Sequence, residues 1–81
     1  MKIIDVRSKD EYDNGHIDGA ENIDVMDIMN GKLPDCSKDT PIILYCISGG
    51  RADRAKNILE SVGFLNVENG GGLRDMKART F

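Results

Sequence analysis

The chain lacks most features that mark membrane, secreted or nucleic-acid-binding proteins. Its 81 residues include no tryptophan, two tyrosines, two phenylalanines and two cysteines. No apolar run approaches the roughly 18–20 residues of a membrane-spanning helix. Small secreted frameworks carry about four or more cysteines, so we expect Cys36 and Cys46 to be free thiols. The net charge of −3 argues against a nucleic-acid partner, because such partners bind basic patches.

The length allows one small domain with a single core. We therefore expect residues 1–81 to fold as one unit. The first residues, Met-Lys-Ile-Ile-Asp, lack the long apolar stretch of a signal peptide. A cytoplasmic location, without a membrane or a nucleic acid as partner, is the expectation.

Apolar periodicity predicts strands and helices in alternation. Strands are expected over 2–6, 20–24, 42–45 and 66–69. Helices are expected after a capping box of Ser8 and Glu11, at 25–29 behind the cap Asp24, at 52–62 and at 73–79. The three glycines at 70–72 predict a flexible turn. Because parallel strands need helical crossovers, this alternation indicates an α/β fold with a parallel sheet of about four strands flanked by helices.

The clearest candidate for chemistry is Cys46. It follows the apolar run 42–45 and opens a short loop before the helix expected at 52–62. The loop reads Cys46-Ile47-Ser48-Gly49-Gly50-Arg51. Sites in α/β sheets lie at the carboxyl ends of strands, and N–H groups at a helix start favour an anion. Since the thiolate is the reactive form, this layout predicts a nucleophilic Cys46 with a pKa below the ordinary ~8.5.

The other loop residues are candidates for holding the substrate. Gly49 and Gly50 allow backbone conformations closed to other residues, so several N–H groups can turn toward one sulfur. Arg51 places a positive charge in the first helical turn, which is unfavourable unless an anion binds there. Ser48 offers a hydroxyl donor and Ile47 completes the loop. We expect these five residues to line the substrate site.

Three groups of motifs together span nearly the whole chain. The first group is Ile4-Asp5-Val6-Arg7-x-x-x-Glu11-Tyr12, followed by Gly15-His16-Ile17-x-Gly19-Ala20-x-Asn22-Ile23. The second is Cys46-x-x-Gly49-x-Arg51. The third is Gly63-Phe64-x-Asn66-Val67, followed by Gly71-Gly72-Leu73. In this order they resemble the rhodanese family of sulfurtransferases. Ala52 stands where the family usually has Ser or Thr, and Met76 where it often has Trp. The strand and helix that usually precede the first motif are missing.

The resemblance implies a fold, a reaction and partners. The fold is a small rhodanese-like three-layer domain over 1–81, with the final strand, the Cys46 strand, the N-terminal strand and the Ala20 strand side by side in that order. The reaction moves sulfane sulfur from thiosulfate or a persulfide donor to a thiol or cyanide through a Cys46 persulfide, with no metal and no organic cofactor. The expected partners are a small sulfur-containing anion or thiol, or a protein acceptor such as a thioredoxin-like protein.

Two alternative functions stay open. One is a sulfur-relay or binding module that serves a protein partner. The other is a Cys-based phosphatase or arsenate reductase, whose loop has five residues between Cys and Arg. Here four residues separate Cys46 from Arg51, and the shorter loop suits a single sulfur atom better than a tetrahedral oxyanion.

The charged residues outside the loop predict a structural network rather than catalysis. We expect an Arg7–Glu11 ion pair beside the first helix and a hydrogen-bonded His16 that pins the following loop. By resemblance, Asp5 and Arg7 lie at a strand end and shape the entrance of the site. Cys36 has the surroundings of an ordinary loop thiol, and two cysteines with one distant histidine do not have zinc-site spacing.

Overall fold

A computed structural model describes residues 1–79 and contains a four-stranded parallel sheet with helices on both faces. The strands are β1 (Lys2–Asp5), β2 (Glu21–Asn22), β3 (Ile42–Cys46) and β4 (Val67–Gly72). The helices are α1 (Lys9–Asp13), α2 (Val25–Met29), α3 (Gly50–Ser61) and α4 (Leu73–Lys77). The strands lie in the order β2-β1-β3-β4, and every pairing is parallel. The expected α/β class and strand order are confirmed.

β3 is one of the two interior strands, and both helical layers pack against it. All five of its residues are buried, and successive side chains point to opposite faces. Leu44 and Cys46 belong to the apolar cluster with α2 and α3, whereas Ile43 and Tyr45 belong to the cluster with Met76 of α4. Cys46 therefore ends the strand on the side of the sheet that α3 covers.

Local signals fix the helix boundaries close to their predicted positions. Ser8 and Glu11 form the predicted capping box of α1, and Asp24 caps α2. α3 begins at Gly50, earlier than the predicted 52, and ends at Ser61. At 12 residues α3 is the longest of the helices in the described chain, and none of them has the length and apolarity needed to cross a bilayer.

The glycine run is the main departure from the predicted fold. The expected flexible turn at 70–72 is wrong, because these residues belong to β4. After an irregularity in the ladder, Gly72 pairs with Cys46 of β3. A Cβ at Gly72 would overlap the carbonyl oxygen of Ile47, and a Cβ at Gly70 would overlap the sulfur of Met76. The absence of side chains lets β4 approach the candidate loop closely.

Candidate active site

The candidate loop lies at the carboxyl end of β3, between β1 and β4. Cys46 is the last residue of β3, and the chain turns from it into α3 within four residues. Only 1% of Cys46 is exposed. Protein atoms therefore cover the sulfur almost completely.

The loop backbone surrounds the Cys46 sulfur with N–H groups. The N–H of Gly49 donates to Sγ at a distance of 3.1 Å. Burial is the largest single influence and raises the pKa of the thiol, but the loop N–H groups together outweigh it. They belong to Ala52, Gly49, Ser48 and Arg51. The pKa of Cys46 is lowered from its ordinary value, in the direction predicted, so the reactive thiolate is favoured.

The two loop glycines have different roles. Gly49 is the N-cap of α3 and has a φ of 94°, a left-handed conformation in which other side chains are strained. Gly50 is the first residue of α3 and does not have a positive φ. The expectation that both glycines use special conformations is thus wrong for Gly50, because the helix starts earlier than predicted.

Arg51 pairs with Glu11, forty positions away in the chain. Its Nη1 donates to Oε1 at 2.7 Å and its Nη2 to Oε2 at 3.0 Å, a geometry that suits guanidinium and carboxylate. The Arg51 guanidinium lowers the pKa of Glu11 to about 2, and the Glu11 carboxylate raises the pKa of Arg51. The expected Arg7–Glu11 pair is therefore wrong, since Glu11 binds the loop arginine instead.

Arg7 takes Asp5 as its partner at the end of β1. The Arg7 Nε lies 2.9 Å from Oδ1 of Asp5, and its Nη2 lies 2.6 Å from Oδ2. Nη2 also donates to the Gly15 carbonyl at 2.7 Å. The two side chains are buried, with 4% and 0% exposed. They brace the chain between β1 and the turn at Gly15, and because they are buried they do not line an opening to solvent.

The remaining predicted residues lie on the surface or at the edge of the core. Ile47 is 57% exposed and Ser48 is also exposed. His16 donates from Nδ1 to the Tyr12 carbonyl at 2.8 Å, which confirms that it is hydrogen-bonded beside α1. Cys36 is a half-buried free thiol at the edge of the core.

A second contact of the loop that was not predicted, besides the Arg51–Glu11 pair, comes from Asn69. Its Nδ2 donates to the Gly49 carbonyl at 2.9 Å, and its Oδ1 accepts from the Gly71 N–H at 2.8 Å. In the sequence, an asparagine before three glycines is typical of a turn. A turn at this point would not bring Asn69 to the loop. The contact exists because β4 continues past Asn69 and runs beside the loop.

A groove of about 450 Å³ opens beside the loop, between α2 and the start of α3. Its walls include Arg51, Arg54 and two exposed methionines, Met26 at 57% and Met29 at 45%. Arg54 has no hydrogen-bond or ion-pair partner within residues 1–79. Another groove, of about 480 Å³, lies at the opposite end of β3 around Ile42, away from the Cys46 end.

The Glu11–Arg51 pair predicts a loss of stability in acid. Because the folded-state pKa of Glu11 is depressed, its contribution is present above pH 4.5 and disappears as the pH falls to about 2. Urea unfolding across this range should show the stability of the unaltered protein converging on that of Glu11→Gln. Glu60→Gln, which removes an exposed carboxylate 3.6 Å from Lys56, should have little effect at any of these pH values. A constant gap between Glu11→Gln and the unaltered protein would contradict this account.

Comparisons with known proteins agree with this architecture. A family model described as "Rhodanese-like domain" matches residues 1–77. The thiosulfate sulfurtransferase PspE of Escherichia coli is 37% identical over 76 residues, covering 90% of this chain and 71% of PspE. The putative sulfur carrier protein YrkF of Bacillus subtilis is 30% identical, covering 99% of this chain and 43% of YrkF. A solved rhodanese with anions from E. coli superposes with a TM-score of 0.78 at 36% identity, covering 91% of this chain and 88% of the other.

The family match and the fold lead to the same assignment. The matched region contains all four strands and the whole Cys46 loop. The structural match to the E. coli rhodanese extends over nearly the full length of both chains. The chain therefore belongs to the rhodanese-like sulfurtransferase family.

Proposed function

We propose that this protein transfers sulfane sulfur through a persulfide formed on Cys46. The observation that carries the proposal is the hydrogen bond from the Gly49 N–H to the Cys46 sulfur at 3.1 Å, within a loop whose N–H groups lower the pKa of the thiol. A buried sulfur in such a cradle is suited to hold a negative charge before and after it accepts a second sulfur.

The proposed reaction has two displacement steps. The Cys46 thiolate attacks the outer sulfur of thiosulfate, the bond between the two donor sulfurs breaks, and sulfite leaves with the electron pair. The charge then resides on the terminal sulfur of the Cys46 persulfide, where the loop N–H groups stabilise it. An acceptor thiolate or cyanide attacks that terminal sulfur, and Cys46 leaves as the thiolate. No oxidant, metal or organic cofactor enters the balance.

Arg51 has a part in this proposal as the cation at the rim of the loop. Glu11 occupies one donor position on each terminal nitrogen, which leaves other N–H groups of the guanidinium for a bound anion. Glu11 also orients the guanidinium. The Arg51 side chain is 39% exposed, so a small anionic donor can reach it from solvent.

The size of the loop separates this function from phosphatase or arsenate reductase activity. Four residues lie between Cys46 and Arg51, enough backbone to surround one sulfur atom and little for the several oxygens of a tetrahedral anion. We expect thiosulfate-dependent formation of thiocyanate from cyanide and negligible hydrolysis of an aryl phosphate by the same preparation. Aryl-phosphate hydrolysis without sulfur transfer would favour the phosphatase alternative.

The groove beside α2 favours an acceptor larger than cyanide. Its volume of about 450 Å³ exceeds what thiosulfate needs, and the exposed Met26 and Met29 offer an apolar wall next to Arg51. An organic thiol, or a cysteine on a protein such as a thioredoxin-like acceptor, fits this setting. If a protein thiol accepts sulfur far faster than cyanide does, the sulfur-relay alternative describes the protein better than a free-standing enzyme.

We take residues 1–81 as a single rhodanese-like domain, since the family match runs from residue 1 to 77. A cytoplasmic location suits the proposed chemistry because thiols stay reduced there. Both cysteines are free thiols in the structure.

A further inference from the structure

The side chain of Asn69 connects the middle of β4 to the Cys46 loop. We propose that Asn69 is a positioning residue: it holds the Gly49 backbone in the conformation that directs the Gly49 N–H at the Cys46 sulfur. This inference rests on the proposed function to the extent that Cys46 is the reactive thiol. It adds a residue from a different strand, outside the loop itself.

Both ends of the Asn69 amide have a partner. Nδ2 donates to the Gly49 carbonyl at 2.9 Å, while Oδ1 accepts from the Gly71 N–H at 2.8 Å. The second bond fixes which way the amide faces, since only its NH₂ group can donate to a carbonyl. Asn69 is half-buried in this position. The amide is therefore oriented by its own strand before it reaches the loop.

Gly49 depends on such support because it has no side chain of its own. It is the N-cap of α3, yet no side-chain capping bond is present there. Within the helix, its carbonyl accepts from the Asp53 N–H at 2.8 Å, and Asn69 supplies the second donor. Because glycine has no Cβ, Gly49 could leave its φ of 94° for other backbone conformations more easily than any other residue type could. Two donors on one carbonyl restrict that freedom.

The restriction matters because the same residue binds the sulfur. The Gly49 N–H lies 3.1 Å from Cys46 Sγ, and its direction is set by the dihedral angles of the loop. If the Gly49 carbonyl loses one donor, the residue can leave the left-handed conformation and its N–H turns away from Sγ. Asn69 thus acts on the reactive sulfur through Gly49 and does not touch it.

The test is to remove the donor and keep the acceptor. Asn69→Asp can still accept from the Gly71 N–H but cannot donate to the Gly49 carbonyl. Asn69→Ala removes both bonds without adding a charge. Comparing the two variants therefore distinguishes the loss of the Gly49 hydrogen bond from the electrostatic effect of a new carboxylate on the sulfur. The matched control is Asn66→Asp, because Asn66 Nδ2 makes the same kind of bond, to the Asp39 carbonyl at 2.8 Å, before β4 begins.

The readout is the titration of the Cys46 thiolate by its ultraviolet absorbance, in a Cys36→Ser background and with the double Cys→Ser protein as a blank. We expect both Asn69 variants to raise the pKa of Cys46 by about half a unit to one unit. Losing a hydrogen bond to a charged group completely would raise it by about one to two units, and these variants weaken the Gly49 bond to the sulfur without removing its donor. Sulfur transfer at neutral pH should fall roughly threefold to tenfold. Asn66→Asp should leave the pKa unchanged, whatever it does to the melting temperature.

Each outcome decides for or against the positioning role. Folded Asn69 variants with an unchanged Cys46 pKa would overturn it, and so would an equal rise in Asn66→Asp. If the variants do not fold, the hydrogen bond itself can be sought by NMR in the unaltered protein, as a coupling between the Asn69 side-chain nitrogen and the Gly49 carbonyl. Its absence would also overturn the inference. Because the titration uses no sulfur donor, a raised pKa in a protein that takes no sulfur would sink the proposed function alone.

Discussion

Replacing Cys46 with serine is expected to reduce thiosulfate-dependent sulfur transfer by at least about a thousandfold, because a hydroxyl cannot form the persulfide on which both steps depend. The loop N–H groups stay in place in this variant, so binding of thiosulfate should survive. The measurement is the rate of thiocyanate formation at saturating thiosulfate and cyanide, together with a melting curve to confirm the fold.

Cys36→Ser is the matched control for this experiment. Cys36 is a half-buried thiol at the edge of the core, outside the Cys46 loop. The variant should keep most of the transfer rate. Comparable losses in the two variants would mean that Cys36 takes part in the chemistry and that Cys46 alone does not explain it.

Among the glycines of the described chain, Gly72 is the one where an added Cβ would come closest to another atom, so Gly72→Ala should be strongly destabilising. The added Cβ would overlap the carbonyl oxygen of Ile47, which is backbone and cannot rotate aside. The free energy of unfolding should fall by about 1–3 kcal/mol or more, the usual cost of overpacking. Sulfur transfer should fall as well, because Ile47 follows Cys46 directly and the loop must move to make room.

Gly50→Ala provides the control on the other side of the loop. A Cβ at Gly50 has no neighbour within 4 Å, and the residue is already helical. Alanine is better than glycine in a helix by up to about 1 kcal/mol, so stability should stay equal or rise slightly. Equal denaturant midpoints for Gly72→Ala and the unaltered protein would show that the strand and the loop are not tightly packed there.

The sequence predicts the fold where its signals are local. The capping box joins Ser8 to Glu11 within one helical turn, and the Asp24 side chain accepts from the N–H of Met26, two residues further on. The apolar run that became β3 is too short for a helix and wholly apolar, so it reads as a buried strand. Such features depend on neighbours in the chain, which the sequence displays directly.

The contacts that escape prediction join distant parts of the chain. Two arginines, Arg7 and Arg51, are candidates for Glu11, and the choice depends on which of them the fold brings within reach of α1. Asp5 lies two residues from Arg7 and takes that arginine in the buried end of β1, which leaves Arg51 for Glu11. The glycines of β4 predict a turn because nothing in their own stretch of sequence shows that the backbone of Ile47 passes within contact distance of Gly72.

Intact mass spectrometry after thiosulfate treatment tests the central claim most directly. The protein is incubated with excess thiosulfate and desalted, and its intact mass is measured. A proteolytic digest then locates the modification. We predict a gain of one sulfur atom per chain, located on Cys46 and lost when cyanide or a thiol is added. An unchanged mass, or an added sulfur located on Cys36, would contradict the account of Cys46 as the sulfur carrier.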